Sequence, residues 1–155
     1  MPPEERRTCS VSVPAWRRSV SNTEYLKLLF DLNIRIGEMV ANSPKKYRAN
    51  YGDMLIKSAL EALKHAQTAN GIYVSPAMPE SDYRLRRGLL QKAKGAAENI
   101  STVGYIFLEQ LRHHDHEEAG KIYRREEYLG MTCGEISKKI SAVMKSDQAV
   151  FNKKK

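Results

Sequence analysis

The sequence predicts an all-α protein, an antiparallel four-helix bundle, and three observations carry that expectation. Apolar residues recur at three- and four-residue spacing in four separate segments, the period that stacks side chains on one helix face. Six prolines and nine glycines leave long stretches without a helix breaker. No segment shows a strand pattern, so four amphipathic helices bury their stripes most simply against one another. A chain of 155 residues is long enough for one domain with a real core and too short to expect two.

Residues 1–21, with Pro2, Pro3, Pro14 and several serines, have no period that buries a face and are expected to be a flexible N-terminal arm. The bundle is expected over 22–147. Asn22 or Thr23 caps a first helix reaching about Asn42, with Tyr25, Leu29, Leu32, Ile36 and Met39 inward and Lys27, Asp31, Arg35 and Glu38 outward. Ser43 and Pro44 open a second helix running to about Asn70. Its stripe is Tyr47, Tyr51, Met54, Ser58, Ala62, Ala66 and Ala69, small enough along the alanines for a neighbour to approach closely. Ile56, Leu60 and Leu63 lie nearly opposite, and a helix apolar on two sides is either central to its domain or half of an oligomer interface. The interface is the favoured expectation.

Gly71 to Pro79 is the main interhelical loop. The third stripe follows as Leu85, Leu89, Ala93, Ala96, Ile100, Val103, Phe107 and Leu111; Ser101-Thr102 either ends that helix and caps another or lies within it. A last segment, about Glu117 to Met144, carries Ile122, Leu129, Cys133, Ile136, Ile140 and Val143, interrupted by Gly130 and Gly134. Residues 148–155, ending in Lys153, Lys154 and Lys155, are expected to be a basic solvated tail.

Lys and Arg number 26 against 18 Asp and Glu, a formal net charge of +8, and such a field attracts polyanions. Cys9 and Cys133 alone supply neither a disulfide framework nor a Cys-based zinc site. No segment approaches the roughly 20 apolar residues that span a bilayer, so a cytoplasmic protein with no membrane partner is expected.

The sequence has no nucleophile elbow and no Gly-rich phosphate loop, and it gives no catalytic residue, cofactor or metal site. His113, His114, His116, Glu117 and Glu118 pair at i,i+4 in a way a divalent ion would accept, but they lack the Glu-x-x-His pairs of di-iron bundles. The basic clusters say more. Lys45, Lys46 and Arg48 stand at the start of the second helix and Arg84, Arg86 and Arg87 at the start of the third, where cations oppose the helix dipole. With Lys94, Arg124, Arg125, Lys138 and Lys139 they are the candidate nucleic-acid contacts, and Ile56, Leu60 and Leu63 are the candidate oligomer interface. Tyr47 and Tyr51 lie near these cations but are better explained as core.

The stretch Ser43-Pro44-Lys45-Lys46-Tyr47-Arg48-Ala49-Asn50-Tyr51-Gly52-Asp53, then Ala59-Leu60-Glu61-Ala62-Leu63 and Ala69-Asn70, resembles the accessory variability determinant proteins of diversity-generating retroelements. Leu89-Leu90-Gln91-Lys92-Ala93-Lys94 is similar to that family's third helix, and Cys133 to Lys139 with Lys145-Ser146 to its final segment, where Ala142-Val143-Met144 replaces the usual tryptophan. In an alternative register the fourth helix of the family falls at Ile100-Ser101 through Leu111. The resemblance implies a homopentameric barrel of four-helix bundles. It implies binding to a reverse transcriptase and to its template RNA or an RNA/DNA hybrid, in support of mutagenic cDNA synthesis without chemistry of its own.

Two other classes remain open on the sequence. One is a generic bundle of the type encoded in ribosomal RNA intervening sequences, acting as an interaction module. The other is a metal-dependent bundle enzyme using His113, His114, His116 and Glu117.

Overall fold

The structure, a computed structural model, describes residues 24–153, the side chain of His116 excepted. Its regular elements are all helical among the described residues. Helix α1 is Glu24–Ala41; a single turn, Lys45–Tyr47, and a π turn, Arg48–Gly52, lead into α2, Asp53–Asn70. Helix α3 is Glu80–His114, and after a short 3-10 turn, His116–Glu118, α4 is Ala119–Asn152. The arm expected over 1–21, and the cap at Asn22 or Thr23, lie outside the described residues.

The four helices close a ring in which α1 packs on α2, α2 on α3, α3 on α4 and α4 back on α1. Cross-links mark the level of each contact. Asn33 Nδ2 donates to the Ala59 carbonyl at 2.9 Å between α1 and α2, and Asn99 Nδ2 reaches Ser58 Oγ at 3.5 Å between α3 and α2. Ser137 Oγ donates to Glu98 at 2.9 Å between α4 and α3; Lys139 Nζ donates to Glu24 at 2.6 Å, and Arg35 lies 4.6 Å above the Tyr128 ring, both between α4 and α1.

The α1 stripe is buried as its spacing requires, and Leu26 and Val40 join it. In α2 the register differs from expectation: Leu55 and Ala59 are buried where Met54 and Ser58 were expected, and Met54 is 50% exposed. The π turn is the cause, since it absorbs one extra residue and advances the following stripe by one position until it rejoins the expected phase at Ala62. Tyr47 and Tyr51 pack against the core from its edge.

Helix α3 runs through Ser101-Thr102 without a break. Its stripe enters one residue later than expected, at Arg86, Leu90, Ala93 and Ala97, leaving Leu85 exposed. Gly130 and Gly134 do not interrupt α4, and both face open space. That helix continues through residues 148–152, which were expected as tail, and Phe151 stacks on Tyr83 of α3 with ring centroids 4.3 Å apart. An aromatic pair of this kind anchors a last turn that charge alone leaves loose.

Candidate nucleic-acid interface

The expected cations fall into three physical groups. Arg86 belongs to the interior. Its Nε donates to Asp147 Oδ2 at 2.6 Å, its Nη2 to Asp147 Oδ1 at 3.2 Å, and its Nη1 to the carbonyls of Ala69 and Ile72 at 2.8 and 3.1 Å. The guanidinium thus donates to carbonyls at the end of α2, where Ala69 also accepts the Ile72 N–H at 3.0 Å, and ties three helices together, so its donors are not turned toward a polyanion in solvent. Tyr25, beside this pair, has a buried hydroxyl without a hydrogen bond among the described residues, and burial pushes its pKa up to about 12.

A second group is neutralised at the surface. Arg84 pairs with Glu80 at 2.8 Å, and Lys139 with Glu24 at 2.6 Å and Glu135 at 3.3 Å. The hydrogen bond from Lys139 and its charge hold the Glu24 carboxyl below the usual carboxylate range. Because α3 starts at Glu80, its first turn carries Glu80 and Asp82, which favour the dipole, and the arginines stand a turn further in than expected.

The third group faces solvent in two places. At one end of the molecule Lys45, Lys46 and Arg48 are exposed on the turn that precedes α2, and Arg48 Nε donates to the Ser43 carbonyl at 2.8 Å. The Tyr47 ring meets His114 edge-on at 5.4 Å, and Arg125 lines a cleft of about 260 Å³ with Ser43, Pro44, His114 and Lys121. Arg125 thus lies across the cleft from Ser43 and Pro44, which lead directly into Lys45 and Lys46. Asp115 and Glu118 line the same cleft and offset part of its charge. Arg124 and Lys138 are exposed on α4.

The other place is a groove of about 360 Å³ between α3 and α4. Arg87, Gln91, Lys94 and Glu98 form its α3 wall, spaced by four, three and four residues so that they share a face, and the Glu98 carboxylate offsets part of the charge; Ser141, Met144, Lys145 and Gln148 form its α4 wall. Arg87 and Lys145 have no ion pair among the described residues, while Lys94 stands 4.0 Å from Glu98. Gly95, with open space at its Cβ position, keeps the floor low.

No protein-family model, curated protein or solved structure matches the chain.

Lys145, Gln91 and Gln148 were not among the expected contacts. Their signal was present in the sequence as a second polar row on the last segment, at spacings of four and three from Ser141, facing the row of Arg87, Gln91 and Lys94. Three cations interleaved with two amides and a hydroxyl suit an anionic polymer that needs charge neutralisation at intervals and hydrogen bonds between. Among the described residues no three His, Cys, Asp or Glu side chains converge as they would around a metal ion. No described helix is long and apolar enough to cross a membrane.

The part of the α3–α4 contact toward the turn that joins them carries a different kind of charge. Glu109 accepts hydrogen bonds from Arg112 and from the Tyr105 hydroxyl, and these, Arg112 foremost, hold its carboxyl below the usual range. Glu126, with one oxygen buried, is pushed the other way by burial and by the nearby Glu109 charge.

Proposed function

We propose that this chain is a non-enzymatic accessory protein that self-associates and binds a reverse transcriptase together with its template RNA, or an RNA/DNA hybrid, supporting mutagenic cDNA synthesis in a diversity-generating retroelement. The observation that carries the nucleic-acid part is the α3–α4 groove, where Arg87, Lys94 and Lys145 converge around Gln91 and Gln148 on a chain of net charge +8. Lys45, Lys46 and Arg48, exposed on the turn that follows Pro44, adjoin the cleft that Pro44, Lys121 and Arg125 line, and give a second basic area suited to an adjoining length of the same strand. The resemblance of residues 43–70 supplies the enzyme partner and implies five copies.

The fold proposed for it is an up-down-up-down, antiparallel bundle. Paired positions support this: along α3 and α4 the partners run Arg86 with Asp147, Glu98 with Ser137 and Gly104 with Leu129, so one number rises as the other falls. Glu24 with Lys139 and Arg35 with Tyr128 do the same along α1 and α4.

Co-purification with the reverse transcriptase and RNA tests the function. The expected result is a ribonucleoprotein containing several copies of this chain, lost on raising salt and weakened in Arg87→Glu/Lys145→Glu. A bare chain that retains neither enzyme nor RNA at low salt refutes it.

A further inference from the structure

We propose that the α3–α4 groove takes an unpaired base of an RNA strand, seated over Gly95 and against Met144, with the neighbouring phosphates on Arg87, Lys94 and Lys145. This rests on the RNA binding in the preceding reading and sharpens it, since such a groove selects a single strand over an RNA/DNA hybrid.

Two links bracket the groove lengthwise, Arg86 with Asp147 at one end and Glu98 with Ser137 at the other. Arg87 and Lys145 stand toward the first link and Lys94 toward the second, so cations flank the middle. The middle itself is shaped for something other than phosphate. At Gly95, which is exposed, nothing lies within 4 Å of where a Cβ would stand. Met144 packs against the core while lining the groove wall, and its polarisable thioether makes favourable contacts with aromatic rings. Gln91 and Gln148 bring amides that both donate and accept, the chemistry that meets the edge of an unstacked base.

Size decides between paired and unpaired strands. Packed helices stand about 8–10 Å apart, and a groove of about 360 Å³ between two of them has room for a base and none for a double helix. A paired strand keeps its bases turned inward and offers this surface phosphate and sugar, and A-form geometry hides much of the base edge in a groove too narrow for side chains. Glu98 closes the far end. Its carboxylate accepts from Ser137 at 2.9 Å and turns phosphate away there, while its 4.0 Å separation from Lys94 is loose enough to leave that ammonium donors for a strand crossing the groove. Neither Leu60, 55% exposed on α2, nor the half-buried Ile56 and Leu63 lines the groove, so the inference is independent of how many copies assemble.

Fluorescence anisotropy of the full chain tests it with a short labelled RNA, the same RNA annealed to complementary DNA, and an abasic strand carrying as many phosphates. The RNA is expected to bind about tenfold more tightly than either other probe, the worth of one base contact. Gly95→Leu fills the floor at a position where nothing crowds the new side chain and where helix propensity improves. It is expected to lower RNA affinity about tenfold, leaving the salt slope and the affinity for the hybrid and the abasic strand unchanged. Gln91→Ala is expected to cost the RNA about fivefold and the other probes nothing. Equal affinity for the RNA and either other probe, or an RNA affinity indifferent to both variants, overturns the base site and leaves the phosphate contacts standing. A Gly95→Leu protein that loses every probe equally overturns it too. A wild type that binds no probe at low salt removes the reading beneath it as well.

Discussion

A guanidinium survives in a protein interior only when its charge and its donors are both met, and Arg86 meets these conditions with Asp147 and two carbonyls at the end of α2. Arg86→Ala strands the Asp147 carboxylate, whose side chain is 11% exposed, and is expected to cost about 3–5 kcal/mol in urea unfolding. Glu126 is the opposite case. Its raised carboxyl pKa means that the folded chain holds this proton more tightly than the unfolded chain. The stability linked to it therefore declines as pH rises from the ordinary carboxylate range through the raised value. Glu126→Gln removes the repulsion with Glu109 and should raise Tm at pH 7, with a smaller gain at pH 4, where the native carboxyl already carries its proton. A larger gain at pH 4 would contradict this. The Cys133 thiol, pushed up to about 12 by burial, is a packing residue in α4 rather than a nucleophile.

At the scale of the element, Gly104 of α3 packs directly against Leu129 of α4. A Cβ placed there would lie 2.5 Å from Leu129 Cδ1, itself fully buried, so Gly104→Ala trades better helix propensity for overpacking. A net loss of about 1 kcal/mol is expected by thermal unfolding, with an overpacking penalty outweighing roughly 1 kcal/mol of propensity. The element level also shows how much the sequence disclosed. The stripe of helix α1 was legible because it and the charged face follow a single uninterrupted period, although Leu26 and Val40 were not read as core. In α2 the stripe was displaced by the π turn at Arg48–Gly52, an extra residue that no periodicity over the alanines reveals. In α3 the expected stripe entered through Leu85 and Leu89, because an arginine was not counted as core. Arg86, Leu90, Ala93, Ala97 and Ile100 share the helical spacing, and Asp147 follows Val143 by four on the facing helix, so an ion pair on two apolar stripes was the available clue. The end of α4 was read as tail from its lysines, and what holds it is Phe151 against Tyr83. Of the candidate site, Arg87 and Lys94 were found from charge alone, while Lys145 required knowing that α3 and α4 are neighbours.

At the scale of the whole molecule, the ring of helices sets the basic groove between α3 and α4 opposite the contact of α1 with α2. The central claim is that Arg87, Lys94 and Lys145 neutralise the phosphates of an RNA strand. It is tested most directly by measuring RNA affinity across a salt series for the wild type and for Arg87→Gln/Lys145→Gln. Three neutralised phosphates give a log–log salt slope of about −2 for a single strand, and the double variant should fall to about −0.7 with lower affinity at low salt. Equal slopes in the two proteins, or an affinity indifferent to salt, would contradict the account.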